Sequence, residues 1–217
     1  GLSTERDVSL SSSAGICRTL LEKGHDAFLL DVFMGFPYEK DRLEEVFTLP
    51  DHGLDIVKNI SEEEPDLAAV KASRPDQSDC FLGPNVIELC RMADITFLGL
   101  HGGEGENGKL QATFDLLGIR YTGPDSLGCA IAMDKGVTKQ IFQQAGVDTP
   151  KGVCIHKNKK KKELDDLGLT LPVVVKPCSG GSSIGVYIAQ TAEEYAEALE
   201  NSFRYEDEVV IEEYIKG

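Results

Sequence analysis

Positive charge is what this sequence lacks most. Its 22 lysines and arginines stand against 37 aspartates and glutamates, a formal net charge of −15 over 217 residues. Polyanions repel such a chain, which excludes general nucleic-acid binding and docking on an anionic membrane. The local exception, 157–162, sets five lysines around Asn158 and reads as a solvated loop. No stretch is apolar for long enough to cross a bilayer, and no secretory leader is read at the front. The Asn59-Ile60-Ser61 sequon therefore carries no weight. Cys17, Cys80, Cys90, Cys129, Cys154 and Cys178 show no Cys-x-x-Cys and no paired spacing. Several lie in apolar runs, so they are expected to be reduced core thiols of a cytoplasmic protein. Cys178 is the one candidate reactive thiol, and nothing near it in sequence supplies a base. There is no internal repeat either.

What is present suits one large or two small domains, since 41% hydrophobic content permits proper cores. Residues 1–8 are a polar, turn-prone opening. The pattern then predicts a helix over 9–23, burying Ile16, Leu20 and Leu21 and stopping at Gly24. A strand is expected at 27–32, so this is βα-type alternation that begins on a loop and a helix. A strand ahead of Gly1 would be expected to feed that loop. Residues 33–78 carry only short apolar clusters among charges, and no element is assigned there. A helix follows over 84–92, with Pro84 in its first turn. Then come a buried strand at 95–100, a helix at 109–117 ended by Gly118, and a short strand at 119–122. Helical stretches at 127–133 and from Asp134-Lys135 to Ala145 follow. Beyond them strands with hairpin-like returns are read at 153–156, 173–177, 185–189 and 208–215. One helix sits among these, 191–200, with Thr191 and Glu194 as a capping box. The boundary between two domains is placed near 126–134.

Two glycine-rich stretches carry the chemistry. In 173–186, Val-Val-Val-Lys-Pro-Cys-Ser-Gly-Gly-Ser-Ser-Ile-Gly-Val, a buried strand ends at Lys176 and runs into a loop. Gly180, Gly181 and Gly185 with the hydroxyls of Ser179, Ser182 and Ser183 can turn donors toward a phosphate. The same residues also suit a plain glycine–serine hairpin. No Gly-Lys-Ser/Thr follows, so this is not a P-loop. In 100–108, Gly103, Gly105 and Gly108 match Gly-x-Gly-x-x-Gly between a strand and a helix. Glu104 and Glu106 would set carboxylates against a pyrophosphate, which argues against a dinucleotide site. A loop at the carboxyl end of a strand remains a favoured ligand position, and His101 and Glu106 suit a small zwitterionic substrate. Alone, His101 reads as a strand-end imidazole bonded to backbone.

Six blocks together resemble the D-alanine–D-alanine ligase family of ATP-grasp enzymes. They are Gly-Leu-Ser-Thr-Glu-Arg-Asp-Val-Ser (1–9), Leu-His-Gly-Gly-Glu-Gly-Glu-Asn-Gly (100–108) and Tyr-Thr-Gly-Pro (121–124), then Ala-Met-Asp-Lys-Gly-Val-Thr-Lys (132–139), Lys-Pro-Cys-Ser-Gly-Gly-Ser-Ser-Ile-Gly-Val (176–186) and Glu-Glu-Tyr-Ile-Lys-Gly (212–217). They come in the family's order at about its spacing. The resemblance implies an α/β fold: a Rossmann-like, pre-ATP-grasp parallel domain over 1–127, then the small α+β lobe of an ATP-grasp fold over 128–217. It implies ATP-dependent joining of two D-alanines through an acyl phosphate, for peptidoglycan synthesis, by a homodimer. The alternatives are another ATP-grasp carboxylate–amine ligase, for example one taking D-lactate or D-serine as second substrate, or a non-catalytic nucleotide-binding fragment. By resemblance Lys135 and Lys176 hold the nucleotide's phosphates, and Ser179, Gly181, Ser182, Ser183 and Gly185 belong to a flap over the γ-phosphate. Glu212, Glu213 and Ile215 meet adenine. Glu5 binds the first D-alanine's ammonium, with Ser182 as its hydrogen-bonded neighbour and His101 as a substrate-side group. Position 107 is Asn where the family often has Asp. The Mg2+ ligands are expected in a C-terminal domain that follows Gly217 in the family, so the chain reads as a segment clipped at both ends.

Overall fold

The computed structural model describes residues 1–57, 65–160, 162–179, 181 and 183–217, and of Lys40 the backbone alone. The sequon, Lys161, Gly180 and Ser182 lie outside the described residues. The chain divides into two compact units, Gly1–Ser126 and Leu127–Gly217.

The regular elements of the first unit, among the described residues, are helices. Its helix α1 runs over Arg6–Glu22, starting three residues earlier than expected, and Gly24 at φ 83° turns the chain away. The buried stripe is Leu10, Ala14 and Cys17, at helical spacing. Ile16, Leu20 and Leu21 are only half-buried, contrary to expectation, because Ala14 and Cys17 are the residues that meet Leu29. Residues 33–78, where no element was assigned, hold 3-10 helices over Lys40–Thr48 and Leu54–Ile56 and a short helix α2, Leu67–Ser73. Asp66 caps α2 through the Ala69 N–H at 2.9 Å. Helices α3 (Val86–Met92) and α4 (Lys109–Leu117) enclose the largest core of this unit, around Val86, Leu110 and Phe114.

The strands expected at 27–32, 95–100 and 119–122 form no ladder. A strand needs a hydrogen-bonded neighbour along its length, and here the bonds go elsewhere. Leu29 N–H donates to His52 O at 2.9 Å, and Val32 O accepts from Gly83 N–H at 2.9 Å. Residues 96 and 121 meet in a single parallel bridge, with Thr96 N–H on Arg120 O at 2.8 Å and Thr122 N–H on Thr96 O at 3.0 Å.

The second unit is an α+β body around one antiparallel sheet. Helices α5 (Ser126–Met133, whose first residue closes the first unit) and α6 (Lys135–Gln144) lead into it, and Asp134 caps α6 through Val137 N–H at 2.9 Å. Strands β1 (Gly152–His156), β2 (Val173–Pro177), β3 (Tyr187–Ala189) and β4 (Glu208–Glu213) lie in the order β1-β4-β2-β3. A four-residue helix α7, Leu164–Leu167, which was not expected, sits in the connection between β1 and β2, and α8 spans Ala192–Ser202. Thr191 Oγ1 caps α8 through Glu194 N–H at 3.2 Å, while Glu194 reaches back to Gln190 N–H at 2.6 Å, one residue beyond the usual box.

Alternation gives this sheet two unlike faces. Ile155, Val173, Val175, Val209 and Ile211 point one way and form a dry core with Ala198 and Leu199 of α8. The residues between them, Cys154, Val174, Lys176, Glu208, Val210 and Glu212, share the other face by register. Ile211 is wholly buried on the central strand. We expect Ile211→Ala to cost about 2–5 kcal/mol. Urea unfolding would show this as a lower midpoint; a loss under about 1 kcal/mol would mean that this face is loosely packed.

Candidate functional site

The second face of the sheet carries the most concentrated charge in the second unit. Glu212 sits on β4 with 10% of its side chain exposed, between two lysines. Lys176, opposite Val210 at the end of β2, pairs with Glu212 Oε1, and Lys139 Nζ lies 2.9 Å from Oε2. Lys139, itself buried, also donates to Thr149 Oγ1 at 2.9 Å and to Pro150 O. Burial acts to raise the Glu212 pKa. The hydrogen bonds and charges of Lys176 and Lys139 outweigh it and hold the carboxyl below its ordinary value.

Lys135 opens α6 one turn before Lys139, which places both ammonium groups on one helix face. Its N–H and its Nζ both reach Cys178 O, at 2.9 and 3.3 Å. Burial lowers its pKa and Lys176 adds to that, while Glu206 opposes it. Lys135, Lys176 and Glu212 line a cleft of about 370 Å³ with Val174, Val186 and the segment Glu213-Tyr214-Ile215 that follows β4. Such a volume suits a small-molecule site. Glu213 is tied down by a backbone pair with Lys151 at 2.8 Å and by its carboxylate on Lys151 N–H at 2.7 Å. Ile215 is exposed.

Of the glycine–serine loop, Ser179, Gly181, Ser183 and Gly185 are described and Ser182 is not. Ser179 gives its N–H (2.9 Å) and its hydroxyl (2.6 Å) to the Glu206 carboxylate. Gly185 sits at φ 72°, and a Cβ there would lie 2.8 Å from Pro177, so only glycine closes the loop. Its carbonyl accepts from the buried Ser202 hydroxyl at 3.0 Å.

The other sequence-read group lies in the first unit. Glu5 stands at the N-terminus of α1 and caps no backbone N–H. Its carboxylate faces Gly102, where a Cβ would come within 2.8 Å of Oε2. The opening segment is sewn to the 101–106 loop: Ser3 Oγ donates to His101 O at 2.7 Å, and His101 N–H donates to Ser9 Oγ at 2.9 Å. Glu5 and His101 are thus brought together through their backbones. The Gly-x-Gly-x-x-Gly match forms a short 3-10 turn, and Gly102 N–H is taken by the Glu106 carboxylate at 2.8 Å.

Sequence reasoning missed Lys139, Glu206 and a thiol pair. Lys139 carried a signal, its i,i+4 spacing from Lys135 on one face of α6. The expectation of core cysteines fails at Cys80, which is exposed. Cys154 and Cys178 lie with sulfurs 2.8 Å apart, joined by the sheet order and not by any spacing in sequence. None of the six cysteines forms a disulfide.

Residues 1–124 match the family model described as D-ala D-ala ligase N-terminus, and residues 141–217 the one described as D-ala D-ala ligase C-terminus. The chain is 40% identical over 217 residues to the D-alanine–D-alanine ligase of Lacticaseibacillus casei, covering 100% of this chain and 60% of that protein. It is 41% identical over 218 residues to the Pediococcus pentosaceus ligase, with 100% and 61% covered. The chain thus spans about 60% of the length of these curated relatives. Among solved structures, the Bacillus anthracis D-alanine–D-alanine ligase complexed with ATP matches at TM-score 0.55 and 41% identity, over 61% of this chain and 44% of that one. The Helicobacter pylori enzyme matches at TM-score 0.54 and 32% identity, over 57% and 37%.

The Glu212 charge makes a pH prediction. Its folded pKa lies below the unfolded value of about 4.3, so its ionised form adds stability that is full above that pH and is lost as pH falls through the folded value. Glu212→Gln leaves two lysines without their partner and should destabilise the protein by about 3–5 kcal/mol near neutrality. The gap should narrow below about pH 4. Unfolding midpoints measured across pH test this; a constant gap into acid would mean that Glu212 acts by shape alone.

Proposed function

The chain belongs to the D-alanine–D-alanine ligase family, and on that premise we propose that the full-length protein joins two D-alanine molecules to D-alanyl-D-alanine with ATP. The observation that carries this reading for the nucleotide is the cleft on the second sheet face, where Lys135 and Lys176 stand at one wall and 213–215 at another. Lys135 and Lys176 hold the phosphates. Glu212 fixes Lys176 in place and, with Glu213 and Ile215, borders the adenine. The loop over Ser179, Gly181, Ser183 and Gly185 covers the γ-phosphate, and closing it exchanges Glu206 for that phosphate at Ser179.

In this reading residues 1–127 are a Rossmann-like substrate domain, supported by the parallel bridge at Thr96 and Tyr121. Residues 128–217 are the central lobe of the ATP-grasp fold. Glu5 binds the ammonium of the first D-alanine, with His101 beside it on the substrate side. That D-alanine's carboxylate attacks the γ-phosphorus, giving an acyl phosphate and ADP. The second D-alanine's amine attacks the acyl carbon and phosphate leaves. Two anions meet in the first step, so fixed lysine charge and positioning do most of the work. A closed loop keeps water from the acyl phosphate. The product serves the synthesis of peptidoglycan precursors in the cytoplasm; homodimer formation rests on the family resemblance alone. Among the described residues no helix is long and apolar enough to cross a membrane.

Magnesium, which an ATP-dependent ligation implies, prefers hard oxygen donors in octahedral array. Among the described residues the group of three candidate ligands is Cys154, Cys178 and Glu208, two soft sulfurs and one carboxylate. These residues do not fit that ion, and the roles given to the lysines and Glu5 do not depend on it.

Two experiments on the full-length protein test this reading. Lys176→Met should weaken ATP binding or turnover by about 2–5 kcal/mol, the range for losing one partner of a buried charge pair. Unchanged ATP affinity and turnover together would overturn the nucleotide assignment. Glu5→Gln should raise the Michaelis constant for the first D-alanine roughly 10- to 150-fold, the equivalent of a charge-assisted hydrogen bond, with ATP affinity untouched. An unaltered D-alanine dependence would reduce Glu5 to a helix-end charge.

A further inference from the structure

We propose that Cys154, Cys178 and Glu208 form a binding site for a thiophilic divalent cation of the zinc or cadmium class, with two thiolates and one carboxylate as ligands and a fourth position for water. The sheet assembles this set. Cys154 on β1 pairs with Val210 on β4, and Cys178, just past β2, donates its N–H to Glu208 O at 3.2 Å. Register therefore turns all three side chains to the face away from the apolar core. The two sulfurs are 2.8 Å apart, and the three ligand atoms lie within 4.8 Å of one another. A tetrahedral ion with metal–sulfur bonds of about 2.3 Å and metal–oxygen bonds of about 2.0 Å spaces its ligand atoms by roughly 3.5–3.8 Å. Small side-chain rotations reach that spacing. Three protein ligands with one open position is a common arrangement for this class of ion.

The surroundings favour a cation. Asp134 Oδ1 and Cys154 Sγ approach the same point, each 3.2 Å from where a Cβ on Gly136 would stand. Glu206 lies next to the pair as well, bonded to Ser179. These carboxylates oppose two bare thiolates and attract an ion that neutralises them. Gly136 leaves the room, since a larger residue would press on Cys154 at 3.1–3.2 Å. No disulfide joins the two cysteines. With the sulfurs 2.8 Å apart, oxidation to a disulfide is the rival fate of the pair, and the test below separates it from cation binding. Each thiol gives up its proton on binding, so one ion displaces two protons and affinity rises with pH. The proposal does not rest on the ligase reading, although Cys178 O also accepts from Lys135; a bound ion would tie β1 to the root of the 179–185 loop.

The test uses the full chain, kept reduced, with Cys80→Ser to remove the exposed thiol. Cadmium is titrated and followed by the thiolate-to-cadmium charge-transfer band, with proton release read from calorimetry in two buffers. We expect one ion per chain and two protons released. Cys154→Ser and Cys178→Ser should each abolish the band. Glu208→Gln, a change at an exposed side chain that leaves the fold intact by circular dichroism, should weaken binding roughly tenfold or more, at least the loss seen on removing an outer-shell partner. No saturable band, a band that survives loss of either cysteine, or unchanged affinity in Glu208→Gln overturns the proposal. So does a reduced protein that takes no cation but loses both thiols to a disulfide on mild oxidation.

Discussion

The second unit depends on one buried carboxylate. Glu212 sits on a central strand of the sheet, where burial works to raise its pKa and two lysines outweigh that and hold it below its ordinary value. Removing a charge pair from water costs several kcal/mol, and attraction repays this only where further hydrogen bonds complete the set. Here Thr149 and Pro150 complete the shell of Lys139. The triad also joins three elements: β4 through Glu212, β2 through Lys176 and α6 through Lys139. A polar network of this kind gives little net stability, but it fixes where the Lys176 ammonium stands in the cleft.

The sheet makes that network possible by having two unlike faces. One face is packed by Val173, Val175, Val209 and Ile211 against α8 and needs no polar atom. Period-two alternation then delivers every residue between them to the other side. Val-Val-Val-Lys and Glu-Val-Val-Ile-Glu-Glu look alike as apolar runs, yet each reads as two interleaved patterns once paired. The charged and thiol chemistry is concentrated on one face because the other is wholly committed to the core.

The sequence made much of this second unit legible. The strands read at 153–156, 173–177 and 208–215, the last of which ends at Glu213, and the caps at Thr191 and Asp134 rest on local signals: β-branched runs and side chains that bond their own helix ends. Lys176 was legible for the same reason, as a charge ending an apolar strand. Strand pairing was not legible, because it is set by contacts distant in sequence. Lys139 with Glu212 spans 73 positions, and Cys154 with Cys178 meets across β4. In the first unit the apolar runs at 27–32 and 95–100 were read as strands, and neither joins a ladder. An apolar run fixes burial, whereas a strand also needs a neighbour's hydrogen bonds, and these segments give theirs to His52, Gly83 and the 120–122 turn.

The two glycine-rich loops share a further physical constraint. Each presents backbone donors, and each has those donors held by the chain's own carboxylate: Gly102 N–H by Glu106 and Ser179 N–H by Glu206. In the 101–106 loop the acid is four residues away, in the same tight turn, so an anion would have to break the turn to enter. That removes the dinucleotide reading on geometry as well as on charge. In the 179–185 loop the acid comes from Glu206, beyond α8, and among the described residues of the loop it holds Ser179. In the proposed nucleotide site an incoming phosphate would replace Glu206 at Ser179, with Lys135 and Lys176 supplying the charge that Glu206 gives up. For a chain with a net charge of −15, an anion site requires such local exchange. Of the two loops, only the one beside the lysines can make it.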